Sequence, residues 1–321
     1  MGSDVTQSLT RPDQSQLPNL PPIRRWTDRR PVPHAQGGQS TAVADVAQSI
    51  LDEQTATENE TVTTLVRDGR ALAGSAVDPA HELLEGSGYL LMPHRSAVTD
   101  WYDEEDVSAH YYQEAGELVK SIFPTAQVFP TGGHIMRDEM PLVRDAAFQA
   151  PARAVHNDFA PSYVNNFKRN EQLKMALDHG ARLVCLNLWR SVSDEPMARM
   201  PLAVCDRRSI ARADVQSVPL GDVGGGDAGD GQGYQHEIMI ASHSDEHEWV
   251  YFPQLTKEEV MVFVTFDSGP GDDFVPTLHT AIDLPGTEGL AGRESCEIRV
   301  NALVMPEEMA KMADAARRAK M

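Results

Sequence analysis

Two imidazoles, a carboxylate and a guanidinium are the residues with the most chemical potential in this chain. In Val155-His156-Asn157-Asp158 the histidine and the aspartate stand two apart. On a strand that spacing puts both side chains on one face, where they can converge on a metal ion. A lone His-x-Asp triplet is common by chance, and in isolation it reads more often as a surface pair or a structural hydrogen bond. Far downstream, Leu278-His279-Thr280 adds a second imidazole, and Arg293-Glu294-Ser295 follows it. Two imidazoles and one carboxylate on one face leave three positions of an octahedral ferrous ion open, enough for an α-keto acid and dioxygen. Arg293 has the fork that grips a carboxylate, and Ser295, two residues on, adds a hydroxyl donor on the same side.

The strand that carries these last residues has one polar and one apolar face. Ser295, Glu297, Arg299 and Asn301 alternate with Cys296, Ile298 and Val300. In a barrel that holds a charged cosubstrate the polar face points inward and the apolar face packs on an outer helix. The alternative is an ordinary strand with a solvated polar side.

Other short strand-like runs are Gly88 to Met92, Gln127 to Phe129, Arg182 to Trp189, Leu202 to Cys205, Glu237 to Ile240, Trp249 to Phe252 and Val260 to Thr265, with a brief one at Val62 to Val66. Turns, not regular helices, separate them from Arg182 onward, which argues against a parallel doubly wound sheet. The fold expected is mainly β with flanking helices, built as a sandwich or as a double-stranded β-helix (jelly-roll, cupin-like) core. Helical periodicity starts near Ala42. The clearest helix runs from Asp103 to Ile122, with acidic residues in its first turn and Pro124 beyond its end. Asn170 to His179 is a second helix, capped by Gly180, and Thr256-Lys257-Glu258-Glu259 predicts a capping box and a brief helical turn.

The chain has 321 residues, 41% of them hydrophobic, with 28 Lys+Arg against 48 Asp+Glu for a net charge of −20. So acidic a surface repels phosphate and anionic lipid, which argues against nucleic-acid or membrane-surface partners. Cys185, Cys205 and Cys296 lie far apart in apolar runs and read as reduced core residues. With no signal-peptide pattern, the expected location is cytoplasmic. Residues 1–40, poor in core-forming types, read as a flexible N-terminal arm, 41–305 as one domain, and 306–321 as a C-terminal helix. That helix packs either on its own barrel or on a second copy, as a homodimer.

Two further motifs compete for attention. The run from Gly221 to Gly233 lacks the Lys-Ser/Thr ending of a phosphate cradle and reads as a flexible insertion, its aspartates leaving only a weak case for calcium. His236, His243 and His247 would form a rival metal site if their segment were helical. The segment is polar and short, and it reads as a loop bordering the barrel mouth.

The set His156-x-Asp158, His279 and Arg293-x-Ser295 resembles the ferrous iron and 2-oxoglutarate-dependent oxygenases. Tyr111-Tyr112-Gln113-Glu114, Asn187-Leu188-Trp189-Arg190, Pro201 to Asp206 and Trp249-Val250-Tyr251-Phe252-Pro253 extend the likeness over roughly residues 60 to 305. They resemble the subgroup of the cephalosporin 7-alpha-hydroxylase component, the gibberellin desaturase-like proteins and fungal endoperoxide-forming oxygenases. The resemblance implies Fe(II), 2-oxoglutarate and O2 as cofactor and cosubstrates, with His156, Asp158 and His279 as iron ligands. It implies that Arg293 and Ser295 hold the distal carboxylate of 2-oxoglutarate. The implied reaction oxidises an unactivated C–H of a small specialised metabolite while 2-oxoglutarate is decarboxylated to succinate and CO2. Hydroxylation is the default, and desaturation and oxidative cyclisation remain open. Arg190 is expected to reach a carboxylate of substrate or cosubstrate, or else to pair with Asp206 or Asp194. His134, Arg137, Phe159, Tyr163 and Trp189 are expected around the substrate. Competing readings are a non-catalytic metal-binding barrel that serves a partner enzyme, and a non-haem iron oxidase that does not use 2-oxoglutarate.

Overall fold

The computed structural model describes residues 62–71, 78–138, 151–222 and 235–311. Among them are twelve strands: β1 Val66–Asp68, β2 Tyr89–Pro93, β3 Ala126–Asp138, β4 His156–Asn157, β5 Arg182–Ser191, β6 Leu202–Cys205, β7 Val215–Asp222, β8 Gln235–Ala241, β9 Trp249–Tyr251, β10 Glu259–Asp267, β11 His279–Ala281 and β12 Glu294–Val304. The helices are α1 Pro79–Leu84, α2 Glu104–Ile122, α3 Val164–Lys168 and α4 Glu171–Asp178. The strands form two sheets, a seven-stranded one in the order β1-β9-β6-β11-β4-β8-β7 and a five-stranded one in the order β2-β10-β5-β12-β3. Every pairing is antiparallel except the parallel contact of β1 with β9. The fold is a jelly-roll core with flanking helices, the architecture expected from the strand and turn pattern.

The middle strands of the five-stranded sheet are buried on both faces. Cys296, Ile298 and Val300 of β12, with Leu186 and Leu188 of β5, form one core cluster with Val107, Tyr111, Ala115 and Val119 of α2. Each large apolar side chain withdrawn from water in this layer contributes ~1.5–3 kcal/mol. The opposite face of β12 turns Ser295, Glu297 and Asn301 into the barrel, all three buried. Ser295 Oγ accepts there from Arg293 Nε, and Asn301 Nδ2 donates to Tyr163 Oη.

Helix α2 starts where expected, with the Asp103 carboxylate accepting from Glu105 N at 2.9 Å. Helix α4 is opened by Asn170, whose Oδ1 accepts from Gln172 N and Leu173 N, and Gly180 closes it at φ +90°. Thr256 to Glu259 forms a tight turn and no helix. The Glu259 carboxylate still accepts from Thr256 N and Oγ1 at 3.1 Å, but Arg70 pairs with the same carboxylate and β10 begins at once. The run expected at Gln127 to Phe129 is a thirteen-residue strand, because β12 pairs with it along its length. The strand expected at Val62 to Val66 lies at Val66–Asp68. The segment after Ala42, residues 1–40 and the interior of the 221–233 run lie outside the described residues. Residues 307–311 are helical. No helix among the described residues is long and apolar enough to cross a membrane.

Candidate metal centre

Strand β4 is only two residues long, yet it lies between β11 and β8, and its register puts His156 directly opposite His279. The ring centroids of the two histidines are 4.4 Å apart. Asp158 follows at the end of β4. One donor atom from each of His156, Asp158 and His279 lies within 4.8 Å of the others, and all three residues are buried.

The tautomers are set locally. His156 Nδ1 lies 2.8 Å from Ala154 O and His279 Nδ1 3.2 Å from Thr277 O, so each Nδ1–H donates to a carbonyl two residues back. The Nε2 lone pairs are left to face Asp158, at 3.9 Å for His156 and 3.8 Å for His279. Burial, and then the neighbouring His279, hold His156 down at about 4, and burial lowers His279 as well. Burial would raise the Asp158 carboxyl, but Arg299, the two histidines and the Asn187 amide together outweigh it and keep the group below its ordinary range. Two neutral imidazoles and an ionised carboxylate form the donor set that a ferrous ion takes with positions left open, so these residues fit the metal.

Beside them Arg293 is 2% exposed. Its Nε donates to Ser295 Oγ at 2.9 Å, its Nη1 reaches Met200 O at 3.3 Å, and its Cζ lies 4.8 Å from the Trp189 ring centroid. Trp189 Nε1 is buried without a hydrogen-bond partner. A guanidinium, a hydroxyl and an orphaned indole N–H next to a metal-type donor set suit a small carboxylate ligand. Arg137, Ala152, Leu202, Arg293 and Glu297 line one cavity with the triad. A wider cleft of about 940 Å³ opens over Trp101, Tyr102 and Arg190. It shares no lining residue with the triad cavity and is set aside as the reaction site.

Arg137 stands opposite Ser295 in the β3–β12 register and lines the triad cavity. His134 does not. It packs under α2, with its Nδ1 3.4 Å from Tyr112 Oη, on the same side of the sheet as Met136 of the helix-facing core. Phe159 and Tyr163 stack on each other at 4.1 Å and join Phe266, Leu183 and Leu303 in an apolar cluster, so they are packing residues and not walls of the triad cavity. Arg190 departs furthest from expectation. It alternates with Trp189 and so leaves the barrel for the layer under α2, where its Cζ lies 4.9 Å from the Trp101 ring and 5.4 Å from the Tyr111 ring. It donates to His94 Nδ1, His94 O and Lys257 O, and pairs with neither Asp206 nor Asp194. Asp206 is taken by Arg208 and Asp194 by Lys257.

The contacts that sequence reasoning missed are those on Asp158: Arg299 on one oxygen and Asn187 on the other. Alternation along β12 gave the signal that Arg299 points inward, but not what it meets. Of the rival histidines, His247 is buried against Asp214 at 3.1 Å and His243 pairs with Asp245 in a loop.

Comparison with known proteins gives the chain's family and fold. The family model described as an oxidoreductase/YMDC permease-like domain matches residues 32–305. The alpha-ketoglutarate-dependent dioxygenase phiK of a fungal species is 30% identical over 224 residues, which cover 67% of this chain and 77% of that protein. The chain therefore belongs to the oxidoreductase family of alpha-ketoglutarate-dependent dioxygenases. The hydroxylase/desaturase efuI of Hormonema carpetanum is 28% identical over 238 residues, covering 67% of this chain and 77% of its own. The solved structure of the iron and alpha-ketoglutarate-dependent endoperoxidase NvfI superposes with a TM-score of 0.61 over 76% of this chain and 84% of that one, at 20% identity, which establishes the shared fold.

Proposed function

We infer that this dioxygenase holds Fe(II) through His156, Asp158 and His279 and oxidises a C–H bond of a small specialised metabolite. The observation that carries the reading is the buried convergence of those three side chains beside the Arg293–Ser295 pair. When bound, Fe(II) with 2-oxoglutarate and O2 supplies oxidation of an unactivated C–H bond, coupled to formation of succinate and CO2. The chain's own residues hold, orient and exclude. The two carbonyl-anchored imidazoles present Nε2 without rotation. Arg293 and Ser295 fix the distal carboxylate of 2-oxoglutarate, and the Trp189 indole donates to the same ligand. Burial keeps water from the reacting atoms, and Arg137 lines the mouth on the substrate side.

Hydroxylation is the expected outcome. The relative named a hydroxylase/desaturase and the fold relative named an endoperoxidase keep desaturation and oxidative cyclisation as products to look for. The test is oxygen uptake and succinate release by the Fe(II)-loaded protein with 2-oxoglutarate. Matched consumption in wild type that vanishes in Asp158→Ala supports the reading. Turnover retained in Asp158→Ala removes the metal assignment, and oxygen uptake without succinate moves the protein to an oxidase that does not use 2-oxoglutarate.

A further inference from the structure

The metal reading leaves three polar residues of the barrel interior without a task, the buried Asn187 and Glu297 and the half-buried Arg299, and they gather around Asp158. Arg299 Nη2 donates to Asp158 Oδ1 at 2.8 Å, and Asn187 Nδ2 donates to Asp158 Oδ2 at 2.7 Å. Both oxygens of one carboxylate thus carry a side-chain donor. The two donors are themselves fixed. Arg299 and Asn187 are register partners on β12 and β5, and Thr265 Oγ1 holds the Asn187 amide oxygen at 3.3 Å. The same Arg299 Nη2 lies 3.2 Å from Glu297 Oε1, and the guanidinium carbon stands 5.7 Å from the Phe159 ring. On the other edge of β12 the register with β3 breaks between Ile298 and Arg299. The extra residues of that bulge, 132 and 133, lie on β3, where Gly133 takes φ +105°, while β12 keeps an unbroken register with β5 through Arg299.

We propose that Arg299 is the positioning residue of the metal centre, locking the Asp158 carboxylate into a single orientation with Asn187. The proposal rests on Asp158 being a metal ligand. A carboxylate free to turn about its last torsion can chelate a metal through both oxygens and take up a position that the cosubstrate or dioxygen needs. With one donor on each oxygen, Asp158 cannot turn, and it offers its remaining lone pairs in a fixed direction. The choice of a guanidinium over a second amide has its own reason. Asp158 is 6% exposed, and a full positive charge compensates its buried carboxylate before a metal arrives. Glu297 adds a second carboxylate 3.2 Å from the same nitrogen.

The test is a titration of the metal-free full-length protein with Mn(II), without 2-oxoglutarate, read as free Mn(II) by electron paramagnetic resonance. Arg299→Gln is expected to weaken Mn(II) binding by ~10- to 100-fold, the usual consequence of removing a residue that orients a ligand. Arg299→Lys, which keeps the charge and loses the fork, is expected to fall between Gln and wild type. Cobalt(II) loaded into Arg299→Gln is expected to show visible bands altered from those of wild type, because the ligand geometry changes. Arg182→Gln serves as the structural comparison. It breaks a paired contact with the buried Asp267, 2.7 and 2.5 Å on its two oxygens, and is expected to lower Tm without moving Mn(II) affinity.

A folded Arg299→Gln with wild-type or tighter Mn(II) affinity and unchanged cobalt bands overturns the proposal. If that variant does not fold, Arg299→Lys decides in the same way, since wild-type affinity there overturns it too. Failure of the wild-type protein to bind Mn(II) would instead strike the metal assignment itself, and Asp158→Ala separates the two, since it removes binding only if Asp158 is a ligand.

Discussion

Removal of the Arg293 guanidinium has a consequence whose size follows from its surroundings. The group is 2% exposed, its Nε donates to Ser295 Oγ at 2.9 Å and its Nη1 to the Met200 carbonyl at a longer 3.3 Å, and it lines the cavity of the triad, where a carboxylate ligand would meet it. Deleting one partner of a buried, hydrogen-bonded charge pair costs about 2–5 kcal/mol. At about 1.4 kcal/mol per decade, Arg293→Ala is expected to raise the Kd for 2-oxoglutarate roughly 30- to 4000-fold. Arg293→Lys keeps the charge without the fork and is expected to lose about tenfold. Ser295→Ala removes one neutral hydrogen bond of ~1 kcal/mol and is expected to lose about fivefold. The assay is anaerobic addition of 2-oxoglutarate to Fe(II)-loaded protein, following the visible charge-transfer band that a chelated α-keto acid produces. A band in Arg293→Ala that half-saturates at the wild-type concentration, with the fold intact, would refute the assignment of the carboxylate anchor.

Two further outcomes test the placement of other groups. Arg190→Met deletes a cation that holds His94, two carbonyls and two aromatic faces in the layer under α2. It should cost about 3–5 kcal/mol and lower Tm by roughly 6–20 °C. Its Kd for 2-oxoglutarate should stay within about twofold of wild type, and a large rise would return Arg190 to the cosubstrate site. In the metal-free protein His156 is held at about 4 against an ordinary 6.5, and His279 moves the same way. The folded state therefore binds fewer protons than the unfolded state between those values. Stability is full above 6.5 and falls as the pH drops toward 4, by roughly 3 kcal/mol for His156 alone. Urea midpoints at pH 7, 5.5 and 4.5 measure this, and a flat series would show that the rings take up protons without penalty.

The alternation along β12 and the apolar stripe of α2 were legible because period 2 and period 3.6 are written in local order. The inward direction of Ser295, Glu297 and Arg299 followed from the same alternation. Thr256 to Glu259 shows the opposite case. Its capping contacts formed as the residue types required, but Arg70 and the start of β10 made the segment a turn. The side of the sheet taken by His134 and Arg190 was not legible, because local sequence gives the alternation along β3 and β5 without saying which face is the barrel and which lies under α2.

The sequence by itself determined the chemistry on offer, two imidazoles, a carboxylate and a guanidinium with its hydroxyl, and the strand-and-turn economy of a jelly roll. Only the tertiary structure decided how those groups meet. His156 and His279 face each other because β4 and β11, far apart in the chain, are paired in register. Asp158 is held by Arg299 and Asn187 because β12 and β5 are neighbours in the opposing sheet. Contacts of that range depend on loop closure and sheet order, which no local pattern of residue types records.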